Sequence, residues 1–77
     1  MNEKHSNPLA YAIADALNDH ESLALFISFT EKYQEDFLKK ILAKVMSIPD
    51  HKIRRTRGAL FTYLVLHHAK ASHNPRH

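Results

Sequence analysis

Hydrophobic residues recur every three to four positions along most of this chain, a spacing that places them on one side of an α-helix. The first such stretch follows Asn7 and Pro8. Ser6 or Asn7 can cap a helix through a side-chain oxygen, and Pro8 fits the first helical position without the loss of a hydrogen bond. We therefore predict a first helix over about residues 8–17. Its expected core-facing residues are Leu9, Ala10, Ile13, Ala16 and Leu17.

A second and a third helix are predicted between Asn18 and Pro49. Asn18 and Asp19 interrupt the first pattern and Asp19 offers a new cap, so the second helix is expected over about residues 20–33. Its apolar residues cover a wide arc, which indicates contact with more than one neighbour. They are Leu23, Leu25, Phe26, Ile27, Phe29 and Tyr33.

The third helix covers about residues 35–48, because Pro49 cannot continue it. Its predicted apolar face comprises Phe37, Leu38, Ile41, Leu42, Val45 and Met46.

A fourth helix is predicted over about residues 56–69, with Thr56 as its cap. Apolar side chains lie on nearly all sides of its axis, which is typical of a helix that is buried on most sides. The β-branched and aromatic residues at positions 61–65 also suit a strand. A single strand has no pairing partner in this chain, so the helix is favoured. Residues 70–77 have little to bury, and we expect a disordered tail there.

These helices predict an all-α protein with a small four-helix bundle-like fold. At 77 residues the chain has room for one domain, which we assign to residues 1–69, followed by the tail. The absence of cysteine excludes disulfides and thiolate metal sites, and it favours a reducing compartment. The sequence has no run of about 18 apolar residues and no apolar N-terminal stretch. We therefore expect a cytoplasmic protein with no membrane partner.

Charge is distributed unevenly along the chain, although the net charge is only +3. Residues 1–36 contain two basic and seven acidic side chains, whereas residues 37–77 contain nine basic side chains and a single acidic one, Asp50. The two segments therefore carry net charges of −5 and +8. A segment this basic predicts an anionic partner such as nucleic acid. The alternative is that the acidic first two helices pack beside the basic last two and neutralise them.

The candidate phosphate-binding residues fall into two groups. The denser group surrounds the start of the fourth helix, where guanidinium groups and free helix-end amides can bind the same anion. It comprises Lys52, Arg54, Arg55 and Arg57, and Gly58 beside it leaves room for a phosphate backbone. The other group, on the solvent side of the third helix, comprises Lys39, Lys40 and Lys44. The second and third helices also fit a helix-turn-helix, although the turn lacks glycine and the third helix offers no Arg, Asn or Gln to read bases.

The segment from Ile53 to Val65, IRRTRGALFTYLV, resembles helical C-terminal segments of bacterial plasmid, phage and primosomal replication proteins. In that pattern an isoleucine, basic residues, a small residue and an alanine precede an aromatic-rich amphipathic helix. The resemblance implies a small helical module that assists DNA binding or protein contacts. It further implies that the basic positions are Arg54, Arg55 and Arg57, and that the packing positions are Leu60, Phe61 and Leu64.

The remaining polar residues indicate neither catalysis nor metal binding. The serines have no recognisable nucleophile context, and no pair of carboxylates is set in a predicted apolar pocket. A bundle of this size also leaves little interior for a substrate. Among the seven histidines, the adjacent His67 and His68 point about 100° apart on a helix and do not chelate one ion. We expect no enzyme activity, no cofactor, no metal site and no small-molecule substrate.

The sequence therefore leaves two functions open. The first is a small non-enzymatic binding module that contacts the phosphate backbone of nucleic acid through the basic segment. The second is a protein–protein interaction or homo-oligomeric module, accessory and regulatory in role, that uses the apolar faces of the second and fourth helices.

Overall fold

Four α-helices form in the computed structural model, which describes the backbone of residues 7–72 and the side chains of residues 7–68. They are α1 (Pro8–Leu17), α2 (Leu23–Lys32), α3 (Glu35–Met46) and α4 (Arg57–Ser72), and residues 7–72 contain no strand. Two short 3-10 turns, His20–Ser22 and Asp50–Lys52, lie in the connections before α2 and α4. The predicted all-α, bundle-like fold is confirmed.

Local side-chain chemistry sets both ends of α1, as the sequence predicts. Asn7 is the cap, because its Oδ1 accepts a hydrogen bond of 3.3 Å from the Ala10 amide, and Pro8 occupies the first helical position. At the other end Asn18 adopts the left-handed conformation, with φ 53° and ψ 48°. Asparagine tolerates this conformation better than most residues. The Asn18 amide donates to the carbonyl oxygen of Asp15 over 3.2 Å and closes the last turn.

The second helix starts differently from the prediction. A 3-10 turn, His20–Ser22, comes first, and the chain becomes α-helical at Leu23. Asp19 stands at the cap position of this turn, but its side chain makes no capping hydrogen bond. The capping role that the sequence indicates for the Asp19 side chain is therefore not observed.

Thr56 begins α4 as predicted. Its Oγ1 accepts the amide of Ala59 at 3.0 Å, and its carbonyl oxygen accepts the amide of Leu60 at 3.0 Å. The helix then continues to Ser72, beyond the predicted end at about residue 69. The rest of the predicted tail, residues 73–77, lies outside the described residues.

The buried side chains form one hydrophobic cluster to which all four helices contribute. Its members are Ala10, Ile13, Ala14, Leu17, Phe26, Phe29, Leu38, Ile41, Val45, Phe61 and Val65. Phe61 joins α4 to α2 through an edge-on contact with Phe26, with ring centroids 5.6 Å apart and an interplanar angle of 90°. The predicted core of α1 is corrected at one position, because Ala14 is buried and Ala16 is exposed.

One side of α4 is open to solvent, contrary to the expectation that this helix is buried on most sides. Gly58, Phe61 and Val65 are buried, whereas Tyr63 is 60% and Leu66 is 49% exposed. The reason is that α4 packs mainly against α3, touches α1 and meets α2 through Phe61, so these short helices cover only the side that carries Phe61. Neither α4 nor any other helix within residues 7–72 is long and apolar enough to cross a membrane.

Candidate functional site

The side chain of Arg57 joins the start of α4 to the end of α3. Its Nη1 donates to the carbonyl oxygen of Val45 over 2.7 Å, and its Nη2 donates to Oδ1 of Asp50 over 2.5 Å. The Arg57 side chain is only 20% exposed, whereas that of Asp50 is 95% exposed. Carbonyl groups in the last turn of a helix lack partners within the helix. The Val45 oxygen accepts the amide of Ile48 over 3.2 Å, and Arg57 adds a second, charged donor. Arg57 is therefore engaged in a contact within the protein.

Asp19 and Gly58 bring the turn after α1 onto the first turn of α4. A methyl group at Gly58 would overlap Oδ2 of Asp19 and lie 2.9 Å from its Cγ. The space expected to admit a phosphate backbone at Gly58 therefore holds the Asp19 carboxylate. A negative charge is favourable here, because the N-terminal end of a helix carries a partial positive charge. α4 has no acidic residue in its own first turn.

Three cationic residues line one groove beside the start of α4, which we call the basic groove. It has a volume of about 370 Å³, and no acidic residue belongs to its wall. It is lined by Lys52, Ile53, Arg54, Arg55, Thr56, Ala59, Leu60 and Tyr63. The groove forms because the chain is extended at Ile53, after the 3-10 turn, and returns to helix at Thr56. The connector thus lies against the first two turns of α4.

A second groove of about 770 Å³ shares a wall with the basic groove. The residues that line both grooves are Arg55, Thr56, Ala59 and Tyr63. The opposite wall of the second groove is the turn at residues 18–22, which carries Asp19 and Glu21. Its charge is therefore mixed, so an anion is favoured in the basic groove and disfavoured in this one.

The three lysines predicted to face solvent on α3 are exposed. The Nζ of Lys39 lies 2.7 Å from Oε2 of Glu35. This hydrogen bond and the negative charge of Glu35 raise the pKa of Lys39 above its ordinary value of 10.5. Lys40 and Lys44 lie one turn apart on the same side of the helix. Neither forms an ion pair with a described side chain.

One ion pair joins the acidic half of the chain to the basic half among the described side chains, that of Glu35 with Lys39. Among the side chains of residues 7–68, lysine and arginine form two ion pairs, Lys39 with Glu35 and Arg57 with Asp50. Neither pair involves an acidic residue of α1 or α2. The three cations of the basic groove form no ion pair in this range, so they present positive charge to solvent.

Tyr63, in the wall of the basic groove, forms an aromatic pair with His67 that the sequence analysis does not identify. The rings of Tyr63 and His67 stack, with centroids 5.6 Å apart and an interplanar angle of 11°. His67 meets His68 edge-on, with ring centroids 5.4 Å apart and an interplanar angle of 81°. The i, i+4 spacing of Tyr63 and His67 can be read from the sequence. The exposure of the two rings cannot, because it depends on how α4 packs against the other helices. No group of three or more potential metal ligands forms in the part of the chain that the structure describes.

Comparison of the chain with models of known protein families, with curated proteins and with solved structures gives no match. The function is therefore argued from the geometry of the basic groove.

Proposed function

We propose that this protein is a small non-enzymatic module that binds the phosphate backbone of nucleic acid in the basic groove. The observation that supports it is the convergence of Lys52, Arg54 and Arg55 on one groove whose wall contains no acidic side chain. Cations of this kind release counterions from nucleic acid when they contact phosphates, and this release supplies most non-specific affinity. The planar guanidinium groups also suit bidentate contact with phosphate oxygens.

We propose that the lysines of α3 extend this surface. Arg57 holds the start of α4 against the last turn of α3 through Val45. Lys44 lies in that last turn, at the same end of the helix pair as the groove cations. Lys40 precedes it by one turn on the same side. Lys39 contributes less, because its ammonium group is already in an ion pair.

Arg57 has a different role in this proposal. Its guanidinium binds Val45 and Asp50, and it keeps the end of α3 and the start of α4 together. We assign the phosphate contacts to the three cations of the basic groove and the positioning of the groove to Arg57. Because backbone contacts carry no sequence information, we expect affinity with weak sequence dependence.

Fluorescence anisotropy with labelled oligonucleotides of two unrelated sequences tests this proposal. Arg54→Gln and Arg55→Gln each remove one charge from the basic groove, whereas Lys32→Gln removes an equal charge from α2, outside it. We expect each groove variant to weaken binding to both sequences and to reduce the slope of log affinity against log salt by about 1. The Lys32 variant should retain the wild-type slope. Equal affinity of all three variants and the wild type contradicts the proposal.

A second candidate function is protein–protein interaction or self-association through apolar helix faces. It is supported by four large exposed hydrophobic side chains, Leu25 at 40%, Met46 at 44%, Tyr63 at 60% and Leu66 at 49%. The exposure of Leu25 and Met46 corrects their predicted place in the core. Single exposed apolar residues are common on protein surfaces, so this candidate ranks second. Sedimentation equilibrium tests its homo-oligomeric form: a mass that rises with concentration and falls again in Leu66→Lys supports it, and a constant monomer mass contradicts it.

A further inference from the structure

We propose that Tyr63 stacks on a base of single-stranded nucleic acid while the cations of the basic groove bind the adjoining phosphates. This inference rests on the proposed function and makes it more specific, because it names the class of nucleic acid. The observation that carries it is a large aromatic side chain, 60% exposed, in the wall of a groove that also contains three cations.

Tyr63 lies on the same side of α4 as the helical residues that line the basic groove. Thr56, Ala59 and Tyr63 follow the i, i+3, i+7 spacing of one helix face. The buried Phe61 and Val65 occupy the other side and attach α4 to the core. Tyr63 therefore contributes little to packing, and its ring is available to a ligand.

The orientation of the Tyr63 ring suits stacking. His67, one turn later, lies nearly parallel to the Tyr63 ring, with an interplanar angle of 11° and centroids 5.6 Å apart, so its ring is on the C-terminal side of Tyr63. The residue one turn earlier is Ala59, whose single methyl group leaves the other ring face accessible. Side chains of a helix lean toward its N-terminus, so this second face is directed toward the groove residues that precede Tyr63. A base that enters the groove extends the existing stack of Tyr63 and His67.

Stacking distinguishes a single strand from a duplex. The bases of a duplex are stacked on one another, whereas every base of a single strand can present its face to an aromatic side chain. The cations of the groove bind the phosphates of either form. Tyr63 therefore adds affinity for single strands alone. A positively charged groove with an aromatic side chain in its wall is the combination that binds single strands without sequence preference.

Fluorescence anisotropy with three labelled probes tests the inference: an oligothymidylate and an oligouridylate of about 20 nucleotides, and a DNA duplex of the same length. We expect Tyr63→Ala to lower the affinity for both single strands by about 5- to 100-fold and to change the affinity for the duplex by less than about twofold. Tyr63→Phe, which keeps the ring, should retain single-strand binding. Arg54→Gln should lower the affinity for all three probes. Circular dichroism on heating checks that Tyr63→Ala remains folded, as the exposure of Tyr63 predicts.

A second readout comes from Tyr63→Trp. The chain contains no tryptophan, so the new indole is the sole one, and we expect single strands to quench its fluorescence more strongly than the duplex. If Tyr63→Ala binds single strands as tightly as the wild type while Arg54→Gln binds them more weakly, the stacking inference is overturned and the proposed function stands. If the wild-type protein binds none of the three probes, both are overturned.

Discussion

The carboxylate of Asp19 occupies the space that a side chain at Gly58 would need, and it thereby couples the turn after α1 to the first turn of α4. Gly58 is buried in this contact. The preceding residue, Arg57, holds the same end of α4 to α3 through the carbonyl oxygen of Val45. The start of α4 is thus fixed on two sides, and it is this helix end that forms one wall of the basic groove.

We expect Gly58→Ala to destabilise the fold. Alanine is intrinsically better than glycine inside a helix by about 1 kcal/mol. The added methyl group, however, overlaps Oδ2 of Asp19 and lies 3.1 Å from its Cβ. Overpacking of this kind costs about 1–3 kcal/mol, so we expect a net loss of about 1 kcal/mol in the free energy of unfolding measured in urea.

A double-mutant cycle with Asp19→Ala provides the control. Removal of the Asp19 carboxylate eliminates the closest contact of the added methyl group. In the Asp19→Ala background, Gly58→Ala should therefore lower the free energy of unfolding by less, or raise it. We expect a coupling free energy of about 1 kcal/mol between the two positions. Additive effects would show that the two residues do not compete for the same space.

Arg57→Ala should destabilise the protein more than Arg55→Ala does. The first variant removes the charged one of the two donors to the carbonyl oxygen of Val45, which keeps the Ile48 amide, and it removes the ion pair with Asp50, for an expected loss of about 1–3 kcal/mol. Most of that loss comes from the Val45 contact, because Asp50 is almost fully exposed. Arg55 forms no ion pair within residues 7–68, so its replacement should change the free energy of unfolding by less than about 0.5 kcal/mol. Equal losses in urea unfolding would contradict the assignment of Arg57 to positioning.

The ends of the helices are predictable from sequence because the interactions that set them are local. Asn7 and Thr56 bind amides three residues ahead of them, and Asn18 ends α1 through its own backbone conformation. The side chain or backbone of each of these residues favours a helix end at its position, independently of tertiary contacts. The predicted starts of α1 and α4 and the break after α1 are confirmed for this reason.

The contacts between elements are not predictable in this way. Asp19 suits a local cap, yet its side chain lies against Gly58, and Arg57 suits a phosphate contact, yet it binds Val45. Periodicity assigns residues to a helix face but does not say how many faces the rest of the fold covers. The prediction that α4 is buried on most sides was wrong for this reason, and the exposure of Tyr63 follows from the same fact.

Asn7→Ala should destabilise the contact between α1 and α2. The Asn7 side chain caps α1 through Oδ1 and donates from Nδ2 to Oγ1 of Thr30, in the last part of α2, over 3.0 Å. Loss of both interactions is expected to lower the free energy of unfolding by about 1–2 kcal/mol. Asn7→Ser keeps a capping oxygen but is too short to reach Thr30, so it should fall between the wild type and Asn7→Ala in thermal unfolding. A serine variant as stable as the wild type would show that the bond to Thr30 adds nothing.

Lys39→Gln and Lys40→Gln make the same change of charge at adjacent positions of α3, and we expect them to affect nucleic-acid binding unequally. Lys40 forms no ion pair in the described part of the chain, so its loss should reduce the slope of log affinity against log salt by about 1. Lys39 must first break its ion pair with Glu35, 2.7 Å away, before it can contact a phosphate. Lys39→Gln should therefore reduce the slope by less than Lys40→Gln does. Glu35→Gln releases Lys39 and should raise the affinity in the same anisotropy titrations at several salt concentrations. If both lysine variants bind as the wild type does, α3 lies outside the binding surface and the basic groove acts without it.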